Sequence, residues 1–152
     1  SPPEPPEPPE PPQPPPPEPP SPPSPLTVVL IEVDKAVKHH YDSLYQDSIV
    51  ADLNEVLDFH IKVDVKNSYA TSIVIADTLP NELEITDYGN TPAAMFEGTS
   101  YAVDIEPGVH TFEYDFSARV KSVAEVVKNK VEAYNRFWIF DNDEDSTPIT
   151  LQ

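Results

Sequence analysis

The sequence predicts an all-β domain, an antiparallel sandwich of about seven strands, set behind a rod of polyproline II. Three observations carry this. Seventeen of the 21 prolines lie between Pro2 and Pro25. Two later stretches, "VLDFHIKVDV" and "TFEYDFSARV", alternate apolar and polar residues with the period of a half-buried strand. Turn signals recur about every ten residues through much of the body, the spacing of short strands in a sandwich.

The lead, residues 1–25, holds no glycine and no apolar side chain other than its prolines. Proline fixes its own φ and pushes the residue before it toward extended backbone, so the lead should extend at about 3.1 Å per residue. That gives a semi-rigid rod of roughly 75 to 80 Å without a core. The body, residues 26–152, is long enough for one domain and too short for two ordinary ones.

Along the body, "LTVVLIEVDKAV" supplies the first strand or pair of strands. Its run Val28, Val29, Leu30, Ile31 is continuous rather than alternating, which predicts burial on both faces or capture by another sheet. In "YDSLYQDSIVADL", Tyr41, Leu44, Tyr45 and Ile49 fall at helical spacing, so one or two helical turns are expected there. The next strand places Val56, Phe59, Ile61, Val63 and Val65 against intervening polar residues. A turn at Asn67 and Ser68 leads to a strand centred on Ile73, Val74 and Ile75 that stops at Pro80.

"ELEITDYGN" adds a short strand ending at Gly89 and Asn90, and a weak strand covers Tyr101 to Ile105. The turn through Pro107 and Gly108 opens a strand with Phe112, Tyr114, Phe116, Ala118 and Val120 on one face. From Val120 to Val131 the periodicity is helical, with Lys121 and Glu125, then Lys128 and Glu132, as i,i+4 pairs. Alternation and the cluster Phe137, Trp138, Ile139, Phe140 favour strand over residues 126–140. The ending "TPITLQ" suits an edge strand led by proline.

Charge narrows the partners. The lead contributes four glutamates, so setting the rest of the 27 acids against 9 Lys and Arg leaves the body about 14 of the 18 net negative charges. Nucleic acid and anionic membranes are disfavoured by such a field. No cysteine is present, which excludes a disulfide scaffold and a thiol nucleophile. There is no initiator methionine, signal peptide or apolar run of membrane-spanning length, so the chain reads as a processed product or an excised piece, with no membrane insertion of its own.

The stretch "FHIKVDVKNSYATSIVIADTLPNELEITD" resembles the conserved surface-protein repeat, a domain of unknown function with an immunoglobulin-like fold found many times over in bacterial and archaeal envelope proteins. In that family an aromatic-led strand ends at an Asn, here Phe59 to Val65 and Asn67, and the next strand closes in Asp-x-Leu-Pro, here Asp77 to Pro80. "DIEPGVHTFEYDFSARV" matches the family's Pro-Gly turn and following strand, and Asn129, Val131 and Ala133 match its late Asn-x-Ala-x-Val strand. The resemblance spans residues 32–152. It departs from the family at Asn67, Ser68, Tyr69, where Asn-Thr-Gly is usual, and in a longer segment 38–54. It implies an immunoglobulin-like sandwich with a structural or adhesive role outside the cell and no catalytic residues to carry over.

"DNDEDS" sets Asp141, Asp143 and Asp145 at alternate positions. Such a loop can offer several oxygens to calcium, although the glycine and downstream Glu of an EF-hand are missing; a solvated acidic turn between the last two strands is the competing reading. Asp34, Asp77 and Asp87 read as turn residues, with further cation sites at the sandwich ends as the competing reading, and His39, His40, His60 and His110 as exposed polar residues without metal-ligand spacing. With three glycines and no nucleophile elbow, neither a phosphate loop nor a hydrolase site can be assembled, so no enzyme is expected. Trp138 is read as a core residue or, where it faces out, as an interface aromatic.

The function expected is a non-enzymatic extracellular module at the cell surface, structural or adhesive, with neighbouring copies of itself or other surface domains as partners. The alternative is a filament subunit whose residues 26–33 serve as a donor strand to the next copy. A ligand-binding surface module is a third reading.

Overall fold

The computed structural model describes residues 2–17 and 28–152. Residues 2–17 form no helix or strand and are exposed throughout; the rest of the lead lies outside the described residues, as do Leu26 and Thr27 at the head of the proposed donor segment.

Nine strands follow: β1 Val29–His39, β2 Ile49–Ala51, β3 Val56–Asn67, β4 Thr71–Thr78, β5 Leu83–Asp87, β6 Ala102–Ile105, β7 Gly108–Val120, β8 Val126–Asn135 and β9 Trp138–Leu151. They form two sheets, one ordered β1-β3-β7-β5 and the other β2-β9-β8-β4-β6. The fold is thus a two-sheet all-β sandwich without an α-helix among the described residues.

The first sheet is built on the two alternating stretches. Antiparallel pairing of β3 with β7 sets Phe59 opposite Phe116 and Ile61 opposite Tyr114. The rings of Phe59 and Phe116 stack with centroids 4.9 Å apart. Leu57, Phe59, Ile61, Val63, Phe116, Ala118 and Val120 are buried, while their neighbours look outward. Truncating Phe59 or Phe116 to alanine would cost about 3–5 kcal/mol.

β4 behaves differently, because every residue from Thr71 to Asp77 is buried. It is flanked by β6 and β8, its inward Ile73 and Ile75 share the core with Met95 of the 3-10 turn Ala93–Phe96, and Ser72, Val74 and Ala76 of the other face are buried as well. A strand covered on both sides has no wet face to mark with polar residues, hence "SIVIA".

Gly89 closes the turn after β5 with φ +56°, and a Cβ there would stand 2.3 Å from the carbonyl oxygen of Asp115. The segment after this turn bonds the edge of β7 beyond its pairing with β5: Asn90 accepts the Asp115 N–H at 2.7 Å, and the Thr91 hydroxyl donates to the Asp115 carbonyl at 2.8 Å.

Several expectations are corrected. Among the described residues the strands number nine, and β2 pairs with β9 in parallel, so the sandwich is not wholly antiparallel. No helical turn forms over residues 41–49; Tyr41 and Leu44 are exposed, so the helical spacing has no buried face to serve. The strand expected over residues 126–140 does form, as β8 over Val126–Asn135 and then, after a turn at 136–137, as the start of β9, with Val127, Asn129, Val131 and Ala133 turned inward and Lys130 meeting Glu144 across the sheet at 3.4 Å. The acidic segment is not a turn and "TPITLQ" is not a separate edge strand. Both belong to the 14-residue β9, lined by β8 along one side and by β2 at its end.

Candidate functional site between the sheets

The inward face of β1 carries Val29, Ile31, Val33, Lys35 and Val37, every second residue. Parity therefore drives one ammonium group into the core. Lys35 is 1% exposed, and its Nζ donates to Asp77 Oδ2 at 2.6 Å, with both side chains fully buried.

The other carboxylate oxygen, Asp77 Oδ1, accepts a hydrogen bond from Asn129 Nδ2, also at 2.6 Å. Asn129 is fully buried and donates in addition to the Thr78 carbonyl at 3.0 Å. Lys35 comes from β1 of one sheet, Asp77 and Asn129 from adjacent strands β4 and β8 of the other. One carboxylate thus spans an amine and an amide across the middle of the sandwich.

The surroundings are apolar on the lysine side. Nζ lies 5.1 Å from the centroid of Phe59 and 4.8 Å from that of Phe116, positions that favour a cation over the ring faces. Desolvation works against both charges and outweighs their attraction: it draws the Lys35 amine below its ordinary range and pushes the Asp77 carboxyl up. Two further polar atoms, Asn129 Oδ1 and Thr147 Oγ1, are buried without a hydrogen-bond partner. They belong to residues directly opposite each other in the β8–β9 register.

The acidic run serves the open side of β1. Asp143 Oδ2 accepts the backbone N–H of Val33 and Asp145 Oδ2 that of Lys35, each at 2.8 Å. Alternate residues of β9 share a face, so two aspartates spaced by two reach over the edge strand and occupy amides that another chain could otherwise pair with. Asp141 stands apart, with an Oδ2 3.4 Å from Asn135 Nδ2. The three carboxylates do not converge, and no group of three or more acids or histidines among the described residues is placed to hold a metal ion.

The donor-strand residues begin β1 in the chain's own sheet, with Val29 opposite Asn67 and Ile31 opposite Val65. Val29 is buried and Leu30 is 59% exposed, so the unbroken apolar run alternates in its environment after all. Val28 is fixed to the β3–β4 turn by the Ser68 hydroxyl at 2.8 Å.

Trp138 is not in the core. Phe137, Trp138, Ile139 and Phe140 are all exposed at the tip of the β8–β9 hairpin. The histidines are dispersed: His40 lies against Asp58, His60 against Asp115 and Glu113, His39 against Glu55, and His110 against the Glu106 carbonyl.

The central trio was not foreseen as a unit. Asp77, read as a turn residue, is a buried strand residue; Asn129 entered only as a motif landmark; Lys35 was not singled out. The signal was available as parity, a lysine and an asparagine each in register with the buried valines of its strand.

The fold and this interior define a two-sheet β-sandwich whose sheets are tied to each other by a buried polar trio. No family model matches the chain, and no curated protein matches it. Among solved structures, it is similar to a FixG-related protein from Vibrio parahaemolyticus at 12% identity and a TM-score of 0.46, over 79% of this chain and 96% of that one. It is also similar to a family 123 glycoside hydrolase from Clostridium perfringens, at 8% identity and a TM-score of 0.37, over 80% of this chain and 27% of the other. The alkylpurine DNA glycosylase AlkC from Pseudomonas fluorescens aligns at 12% identity and a TM-score of 0.31, over 76% of this chain and 30% of that chain. These are likenesses at low identity, and none bears on what this chain does.

Proposed function

We propose that the chain is a non-enzymatic extracellular module, structural or adhesive, in which an immunoglobulin-like sandwich is carried at a cell surface on a proline-rich stalk. One observation carries this reading. Lys35 and Asp77 are the only fully buried charged side chains among the described residues, and they join one sheet to the other out of reach of any substrate. Chemistry buried in this way serves cohesion rather than turnover. The resemblance to the surface-protein repeat and the acidic, cysteine-free composition agree with it, and the exposed hairpin tip around Trp138 is the surface best suited to neighbouring copies or other surface domains. Antibodies raised against folded residues 28–152 are expected to label intact cells of the source organism. Labelling confined to lysed cells would sink the reading.

A filament reading is favoured by a separate observation: the carboxylate caps on β1 begin at Val33, the last residue of the donor segment, and continue at Lys35, so Val28 to Glu32 lie ahead of them. In it, residues 26–33 leave to complete a neighbour's sheet. Fibres seen by negative stain that vanish on deleting residues 26–33 support it, and a discrete monomer at all concentrations excludes it.

A further inference from the structure

We propose that Lys35 and Asn129 are covalently joined, by an amide bond from Lys35 Nζ to Asn129 Cγ through the centre of the sandwich, with Asp77 as the catalytic proton relay. The inference goes beyond the surface reading, since the bond is a property of the interior wherever the domain resides. It rests on the arrangement of three side chains. The amine that would attack sits on one oxygen of Asp77, and the nitrogen that would leave sits on the other, each at 2.6 Å. A single carboxyl therefore touches both the nucleophile and the leaving group.

The first requirement is a free amine. The ion pair can transfer its proton along the existing hydrogen bond, from Nζ to Asp77, and burial favours that neutral pair. Phe59 and Phe116 cover the nitrogen and keep water from competing. The amine lone pair then attacks Cγ of Asn129 and forms the new C–N bond. Asp77 gives its proton to Nδ2 from one oxygen and takes the surplus proton of Nζ on the other. The Cγ–Nδ2 bond breaks, and ammonia departs. One amine and one primary amide become one secondary amide and one ammonia, with no oxidant, reductant or cofactor.

The unpartnered atoms fit this course. Asn129 Oδ1, where negative charge gathers during the attack, meets no donor in the resting arrangement, and Thr147, directly across the strand pair, has a buried hydroxyl with no partner of its own. Register makes that hydroxyl the donor available to the developing oxyanion.

Intact-mass measurement of the denatured full chain tests the bond. The expected mass is below that of the sequence by one ammonia, and digestion is expected to release a branched peptide containing both Lys35 and Asn129. Lys35→Met and Asn129→Ala are expected to show their full sequence masses. Asp77→Asn keeps both reacting side chains and is expected to stay unlinked; a deficit that persists in it overturns the role of Asp77. An unreduced mass in wild-type protein that melts cooperatively overturns the proposal. So does the loss of one water instead of ammonia, which would put the bond on Asp77. The decisive reading is made on the wild-type chain, so a variant that fails to fold does not blunt it.

Discussion

Lys35 is held by Asp77 at one point only, so losing that carboxylate should matter more than a single hydrogen bond suggests. In Asp77→Ala the amine remains between Phe59 and Phe116 with no carboxylate hydrogen-bonded to it, only the more distant charge of Asp145, and Asn129 loses its carboxylate acceptor. Breaking one side of a buried pair costs about 3–5 kcal/mol, to be read as a fall in the urea midpoint at unchanged slope. Asp58, on the outer face, offers a contrast. Partial burial pushes its carboxyl up, but hydrogen bonds from His40, Ser117 and Lys38 outweigh that and hold it below the usual carboxylate range. A depressed folded pKa contributes stability that is present above the unfolded value and lost as pH falls through the folded one, so the window opens below about pH 4. Asp58→Asn is expected to cost a few tenths to about 1 kcal/mol at neutral pH. Its stability curve should converge on that of the wild type toward pH 2; curves that stay parallel would show that charge is not the cause.

Among the elements, β9 shows how an acidic stretch can be a strand. Asp143 and Asp145 share the inward face with Thr147, Ile149 and Leu151, and the first two spend their carboxylates on the amides of β1. Hydrogen exchange should therefore find Val33 and Lys35 protected although they lie on an edge strand. The double change Asp143→Ala and Asp145→Ala should speed exchange at those two amides by about tenfold or more, with amides of β7 unaffected. The same geometry predicts that the melting temperature is equal in chelator and in millimolar calcium, since two of the three carboxylates are already engaged by backbone. How legible each strand was depended on its neighbours. β3 and β7 were plain because one face is wet and its polar residues mark the alternation. β4 gave no alternation because both its faces are covered, and β9 hid behind charges that point at another strand rather than at solvent. In β1, "EVDKAVK" sets outward acids beside an inward lysine; composition cannot separate them, whereas counting parity from Val33 does. Residues 41–45 show the converse, a helical spacing with no surface to pack on.

For the whole molecule, the lead and the body are energetically separate on the sequence reading, since residues 1–25 have nothing to bury. Deleting them is expected to leave the melting temperature of the body within about 1 °C and to shrink the radius of gyration sharply in small-angle scattering; a large drop in melting temperature would mean that the lead packs on the sandwich. The position of the central tie has a consequence for tension. Lys35 lies in the first strand and Asn129 late in the chain, so with the amide in place a pull between the lead and the end of β9 crosses from β1 straight into β8. Residues 36–128 then hang as a closed loop beside the force path, and roughly 300 Å of contour length is never paid out. A sandwich wired this way would act under load as a short inextensible link, whatever its thermal stability.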